Sequence, residues 1–287
     1  MMHMKTNVST ETAERGRYGG SIFHTICENK VKCITMLMCF LLTLFIFVQM
    51  VCVVTHTSVD AFIHSLMTNE IQFAIKLSIV TSLISTMLCI LVSIPVAYAI
   101  ARYDFWGKSL ANTILDIPLA LPPLVAGVGL LILFGTTSFG QMLEDIGLKF
   151  VFTPIGVIIA QFFVNVPYMF RILRGTFQGI NPRYEHVAKT LGCSDWQTFW
   201  RVTLPMSKNG LLAGSVITWS KGIGEFGAAL MLAGATRMKT ETLPISLYLN
   251  MSSGELNLAI ASATILIVIS LVSLFVFEKF GGFARVF

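Results

Sequence analysis

Long uncharged runs alternate with short polar connections along this chain. Residues 33–59, 77–101, 150–170 and 256–277 contain no Asp, Glu, Lys or Arg. Each run is at least as long as the roughly 20 apolar residues that cross a bilayer core as a helix. Residues 117–143 form a further run, interrupted by Pro118, Pro122, Pro123 and several glycines, and 209–234 form a sixth, broken only by Lys221 and Glu225. The pattern predicts an all-α polytopic membrane protein with about six transmembrane helices. Residues 1–32 are polar. The apolar run after them exceeds the 7–15 residues of a signal-peptide core, so it reads as a retained first span over 33–57. The other five spans form a core over 71–278, followed by a short tail at 279–287.

A different pattern fills residues 171–208, where the amphipathic stretch NPRYEHVAKTLGCSDWQTFWRVTLP occupies 181–205. Asn181 suits an N-cap and Pro182 a first helical position. Tyr184, Val187, Ala188 and Leu191 follow at i, i+3, i+4 and i+7, predicting one apolar face. Gly192 stands where a helix end wants a left-handed residue. Ser194 and Gln197 make a capping box for a second short helix, with Trp196, Phe199 and Trp200 as its apolar stripe. Leu204-Pro205 is expected to end that helix. The ridges either pack on the protein's own span ends and the headgroups, or are received by a soluble partner as a helix is received in a groove.

Composition sharpens this picture. The chain is 55% hydrophobic and 12% charged, with mean hydropathy +0.76, about half the charged share of a soluble domain. With six spans, fifteen Lys and Arg fall on the side of the termini and the 171–208 loop, against Lys149, Arg237 and Lys239 opposite. The positive-inside rule then places both termini and that loop in the cytoplasm. The net charge of +5 is a topology signal rather than a nucleic-acid footprint. Six scattered cysteines form no C-x-x-C pair and the five histidines show no ligand spacing, so packing, not metal or redox chemistry, accounts for the cysteines.

Two segments bear on transport. Pro118, Pro122 and Pro123 leave backbone groups unpaired within a span, tolerable only against protein or a water-filled cavity. Gly210 and Gly214, then Gly222, Gly224 and Gly227, strip side chains from one span and let helices approach closely, and Gly127 closes the earlier proline-rich segment as a further gate candidate. Interrupted spans of this kind point to a translocation path; close packing alone is the plainer reading. Lys221 and Glu225 lie four apart and can face one another, as a structural ion pair or as part of the path lining. Asp116 and Lys76 sit near span ends and read as interfacial.

The run EHVAKTLG at 185–192, with LP at 204–205, resembles the EAA loop of ABC-importer permeases. Glu185, Ala188, Gly192, Leu204 and Pro205 match that pattern; His186 and Val187 depart from it. The segments PLALPPLVAG at 118–127 and GIGEFGAALMLAG at 222–234 resemble spans of molybdate/tungstate permeases, and sulfate permeases nearly as well. The resemblance implies a type I ABC-importer permease fold working as a pair of permease subunits with an extracellular binding protein. It also implies an ATPase partner subunit that binds ATP and Mg and receives a coupling helix carrying Glu185, Val187, Ala188, Leu191 and Gly192. In this chain no G-x-x-x-x-G-K-[ST] phosphate loop occurs: Lys189-Thr190 follows alanine and Lys239-Thr240 follows Met238, so no cofactor and no enzymatic activity are expected of it. An ion-gradient transporter would need carboxylate or histidine relays, for which only Asp116 and Glu225 qualify. An intramembrane enzyme would need a nucleophile–base pair or a metal-ligand set that the spans do not offer.

Overall fold

The structure is a computed structural model that describes residues 8–56 and 59–281, with side chains over 31–56, 60 and 62–275. The outermost parts of the expected leader and tail, and residue 57 at the end of the first span, lie outside the described residues. The chain divides into two units, residues 1–55 and 56–287.

The described residues of the first unit form one helix, α1 (Val8–Thr55). Its stretch Val31–Thr55 has mean hydropathy 2.8 and the length to cross a membrane. From residue 8 the helix runs unbroken out of the leader into the span, and no proline interrupts residues 8–32.

The second unit begins with α2 (Val59–Leu66), α3 (Asn69–Arg102), α4 (Lys108–Ala120), α5 (Pro123–Gly135), α6 (Ser138–Asp145) and α7 (Pro154–Gly179). Then come α8 (Arg183–Thr190), α9 (Asp195–Thr198), a π-helical turn (Phe199–Thr203) and α10 (Leu204–Met206). The last elements are α11 (Lys208–Ile223), α12 (Gly227–Ala233), α13 (Leu243–Ser252) and α14 (Leu256–Gly281). No strand occurs among the described residues.

Helices α3, α7 and α11 form the centre. The buried face of α3 carries Ser78, Thr81, Ser82, Ser85, Thr86 and Ser93 beside Ile71, Ala74, Cys89 and Ala97. Small residues let helices approach closely in lipid, where apolar attraction between helices is weak. Three of these hydroxyls are satisfied within the helix: Thr81 donates to the Leu77 carbonyl at 2.8 Å, Ser82 to the Ile79 carbonyl at 3.1 Å and Thr86 to the Ser82 carbonyl at 2.7 Å. Val80, Leu83, Met87 and Leu91 stand exposed on the other face, as lipid contact requires. On α11, Gly210, Gly214, Thr218 and Gly222 recur every fourth position and are buried; a Cβ at Gly214 would meet Met169 Sδ at 2.6 Å.

The six apolar runs do not become six unbroken helices. Among the described residues, four helices are long and apolar enough to cross, and α4 with α5 make a fifth candidate bent by 113°. The break falls at Leu121–Pro122, where Pro122 and Pro123 withdraw two amide donors. The run at 209–234 is also divided, since α11 stops at Ile223 and α12 restarts at Gly227. Conversely, α7 continues nine residues past its uncharged run. Arg171 and Arg174 are compatible with a helix and find partners on α4: Asp116 for the first, Asn112 for the second. Absence of charge marks the apolar layer, whereas helix length follows backbone propensity and side-chain pairing.

Candidate functional site

The amphipathic stretch folds as a tight corner of short helices. The Asn181 side chain accepts the Arg183 N–H at 3.0 Å, and Pro182 opens α8. The turn then resolves α8 into two faces. Tyr184, Val187 and Leu191 point outward, 55%, 57% and 79% exposed. Glu185 and Ala188 point inward, at 6% and 7%. Ala188 therefore leaves the apolar face expected from spacing and packs inward beside the glutamate. Gly192 ends α8 at φ +91°, the left-handed region that favours glycine. A Cβ there would meet nothing within 4 Å, so within this chain the backbone alone demands the residue.

The capping box forms as expected: Gln197 N–H donates to Ser194 Oγ at 3.3 Å and Ser194 N–H to Gln197 Oε1 at 3.1 Å. Lys189 bridges to Asp195 at 2.5 Å, and that carboxylate holds the Lys189 ammonium above its usual range. Both groups are exposed, so the bridge sets geometry more than stability. Trp196 and Trp200 extend the outward ridge, 69% and 49% exposed. Phe199 turns in, its ring 4.9 Å from that of Tyr98. Leu204-Pro205 does not end the helix. The chain passes through a π turn and continues through Pro205 to Met206. The wider register of the π turn accommodates the missing proline N–H.

Beneath the ridge lies a clasp. Arg102, the last residue of α3, sets Nε 2.9 Å from Glu185 Oε1 and donates Nη2 to the Ile180 carbonyl at 2.9 Å. Thr203 Oγ1 donates to the same carboxylate oxygen at 2.9 Å, and Tyr98 Oη lies 3.5 Å from Oε2. The two charged side chains are 10% and 8% exposed. Within this chain Glu185 is turned inward, and it ties α8 and the π turn to the ends of α3 and α7. Arg102, Tyr98 and Thr203 are absent from the sequence-based site. A charge at a span end is visible in sequence, but its partner is 83 residues away.

The two interrupted segments meet within one chain. A Cβ at Gly127 would sit 2.8 Å from Ala228 Cα, and one at Gly227 would sit 3.0 Å from Pro123 Cβ. Both glycines permit α5 and α12 to touch. Pro118 lies inside α4, Pro122 caps α5 and Pro123 begins it. Gly224 is exposed at the second break. Lys221 and Glu225 do not pair. Glu225 Oε1 accepts the Ala228 N–H at 2.8 Å, capping α12, while Lys221 Nζ stands 4.2 Å over the Tyr168 ring. Gln161, another residue the sequence did not single out, donates Nε2 to the Gly222 carbonyl at 2.9 Å, covering a group freed where α11 ends.

A helical membrane unit with two broken segments in contact, and an apolar ridge clasped to its span ends, has the form of the membrane-embedded subunit of a transporter. The family model "Binding-protein-dependent transport system inner membrane component" matches residues 90–281, and the chain belongs to that family, the permeases of ABC importers. It is 37% identical over 216 residues to the sulfate transport system permease protein CysW of Synechococcus elongatus, covering 75% of this chain and 76% of the relative. It is likewise 37% identical over 200 residues to the molybdenum transport system permease protein ModB of Mycobacterium tuberculosis, covering 69% and 75%. Among solved structures, a bacterial alginate ABC transporter in complex with an alginate pentasaccharide-bound periplasmic protein superposes with TM-score 0.66 at 19% identity, covering 90% of this chain and 96% of that one. The fold is that of type I ABC-importer permeases.

Proposed function

We propose that this chain is the permease of an ATP-driven importer for a tetrahedral oxyanion, with molybdate and tungstate as the first reading. The observation that carries the coupling role is the exposed ridge of Tyr184, Val187, Leu191, Trp196 and Trp200 held to α3 by the Glu185–Arg102 clasp. An ATPase subunit, itself binding ATP and Mg, receives the ridge. Its movement reaches α3 and α7 through Glu185, because a buried, multiply bonded carboxylate moves with its partners. A second copy of the chain completes the path, and an extracellular binding protein delivers the anion. The membrane is the plasma membrane of a prokaryote, with both termini and the ridge in the cytoplasm. Gly192, Leu204 and Pro205 shape the coupling corner. The path takes in the α5–α12 contact together with Pro118, Gly224 and Lys221.

Sulfate or thiosulfate is the second reading, supported by the equal identity to CysW and ModB. Uptake by vesicles holding permease, ATPase and binding protein tests both, with molybdate, tungstate and sulfate in competition. ATP-dependent uptake of one of these, reduced by the others in order of affinity, supports the proposal. Uptake that proceeds without ATP, or no uptake of any of the three, overturns it.

A further inference from the structure

Charged side chains within apolar spans face protein or water rather than lipid, because their transfer into hydrocarbon is costly. Two exposed cations stand on one face of α7 and α11. Lys221 lies over Tyr168 at 4.2 Å. Arg171 follows Tyr168 by three positions on α7, so the two share a face. The Arg171 side chain is 54% exposed, yet its fork is engaged: Nε donates to Asp116 Oδ1 at 2.9 Å and Nη2 to Oδ2 at 3.2 Å. Asp116 belongs to α4, the first limb of the bent pair. Beside Lys221 a cleft of about 130 Å³ opens between α11 and α14, lined by Val216, Ile217, Ser220, Ser273 and Leu274. One water needs only ~10–15 Å³ of such volume, so several waters or a small hydrated anion fit.

Of the other charges, Lys208 opens α11 and Lys76 lies two turns into α3, both exposed; three more are committed. Arg102 is buried in the clasp, Glu225 caps α12, and Arg174 meets the Asn112 side chain and lies over the Phe170 ring. Lys221 and Arg171 share the face that carries Tyr168, one without a carboxylate and one holding a carboxylate that an oxyanion can imitate. A guanidinium fork gives two parallel bonds to a carboxylate and equally to two oxygens of a tetrahedral oxyanion.

We propose that Lys221 and Arg171 are successive contacts for the tetrahedral dianion as it crosses, and that Asp116 occupies Arg171 between passages. The proposal rests on the oxyanion-import reading and extends it to residues on the face of α7. A path must hold its ion weakly enough to release it. Asp116 supplies that release, since it competes for the same fork and displaces the departing anion. Because Asp116 rides on α4, each exchange also frees and recaptures α4 against α7.

The test uses the full complex of permease, ATPase and binding protein in vesicles, with sulfate and molybdate as probes. Lys221→Met is expected to lower maximal uptake roughly tenfold with ATP hydrolysis and melting temperature retained. Asp116→Asn is expected to lower both the half-saturating anion concentration and the maximal rate, since Arg171 then binds the anion without a competitor. Exchanging the pair, Asp116→Arg with Arg171→Asp, keeps an ion pair but places the carboxylate on the accessible face, and is expected to abolish uptake. Wild-type uptake in the exchanged variant would make the pair structural and overturn the proposal, as would unchanged kinetics in Lys221→Met or Asp116→Asn. Should the exchanged variant fail to assemble, Asp116→Asn decides alone. A wild-type complex that imports neither anion refutes the import reading, and the proposal falls with it.

Discussion

Glu185 shows how much one buried carboxylate organises. It gathers Arg102 and Tyr98 from α3 and Thr203 from the π turn. Removing one partner of a buried, hydrogen-bonded pair leaves the other charge uncompensated, at about 3–5 kcal/mol. Arg102→Met is therefore expected to lower the melting temperature of the purified permease markedly. The double variant Arg102→Met with Glu185→Leu removes both charges and should recover much of the loss. A double variant as unstable as the single one would show that the pair itself, rather than the orphaned charge, sets stability. The sequence carried the position of Glu185 but not its direction. Helical spacing placed Tyr184, Val187, Ala188 and Leu191 on one stripe, yet that stripe spans enough of the circumference for Ala188 to fall on its inner edge. The same blindness affects Lys221 and Glu225, whose spacing of four permits a pair. The free N–H of Ala228 and the ring of Tyr168, contributed by the broken span and by α7, captured them instead.

At the scale of elements, the corner at Gly192 and the ridge around it make separable demands. Gly192 sits at φ +91° with open space where a Cβ would go, so a substitution costs only backbone strain, roughly 1–2 kcal/mol for an L-residue in left-handed geometry. Gly192→Asn should keep most of the ATPase binding, whereas Gly192→Val should weaken it by displacing the ridge. Equal binding by both would show that the partner does not read the corner. Trp196 and Leu191 are exposed in the permease, so Trp196→Ala and Leu191→Ser are expected to leave its melting temperature unchanged. Large apolar side chains contribute about 1.5–3 kcal/mol each on full burial, so ATPase capture, read by co-purification, should fall about tenfold or more for each. The caps and the glycine corner were legible because they are local, set by residues three or four apart. The π turn and the passage through Pro205 were not. A proline after a leucine reads as a stop, and only the widened turn before it makes room for continuation.

For the whole molecule, the decisive question is which end of α3 faces the cytoplasm. Its 34 residues reach about 50 Å at 1.5 Å per residue, enough to pass both interfaces. One end carries Arg102 and, through the clasp, the whole 181–207 corner. At the other end Glu70 meets Arg237 at 2.6 Å, and Arg237 reaches Asn250 at 3.1 Å. The two ends are therefore fixed as opposites by geometry, independently of how many spans cross. The basic residues choose between them. Lys108, Arg183, Lys189, Arg201 and Lys208 follow the Arg102 end in sequence, while Lys149, Arg237 and Lys239 belong to the other. The imbalance survives the transfer of Arg171 and Arg174 from loop to helix. Apolar runs revealed that the chain crosses a membrane. Apolarity alone did not mark the breaks at 121–122 and 224–226, because a broken span is as apolar as a whole one; the prolines at 118–123 and the glycines at 222–227 signalled them. A cysteine placed at Thr190 is expected to escape an impermeant thiol reagent in intact cells and to react once the membrane is opened. A cysteine placed at Ser252 should react from outside in intact cells. Both positions are exposed, so burial cannot mimic protection. The other cysteines lie at 27, 33, 39, 52, 89 and 193 and are replaced by serine for the measurement. Labelling of Thr190→Cys from outside would place the ridge away from any cytoplasmic ATPase, and the coupling role of Glu185 and Gly192 would fall with the orientation.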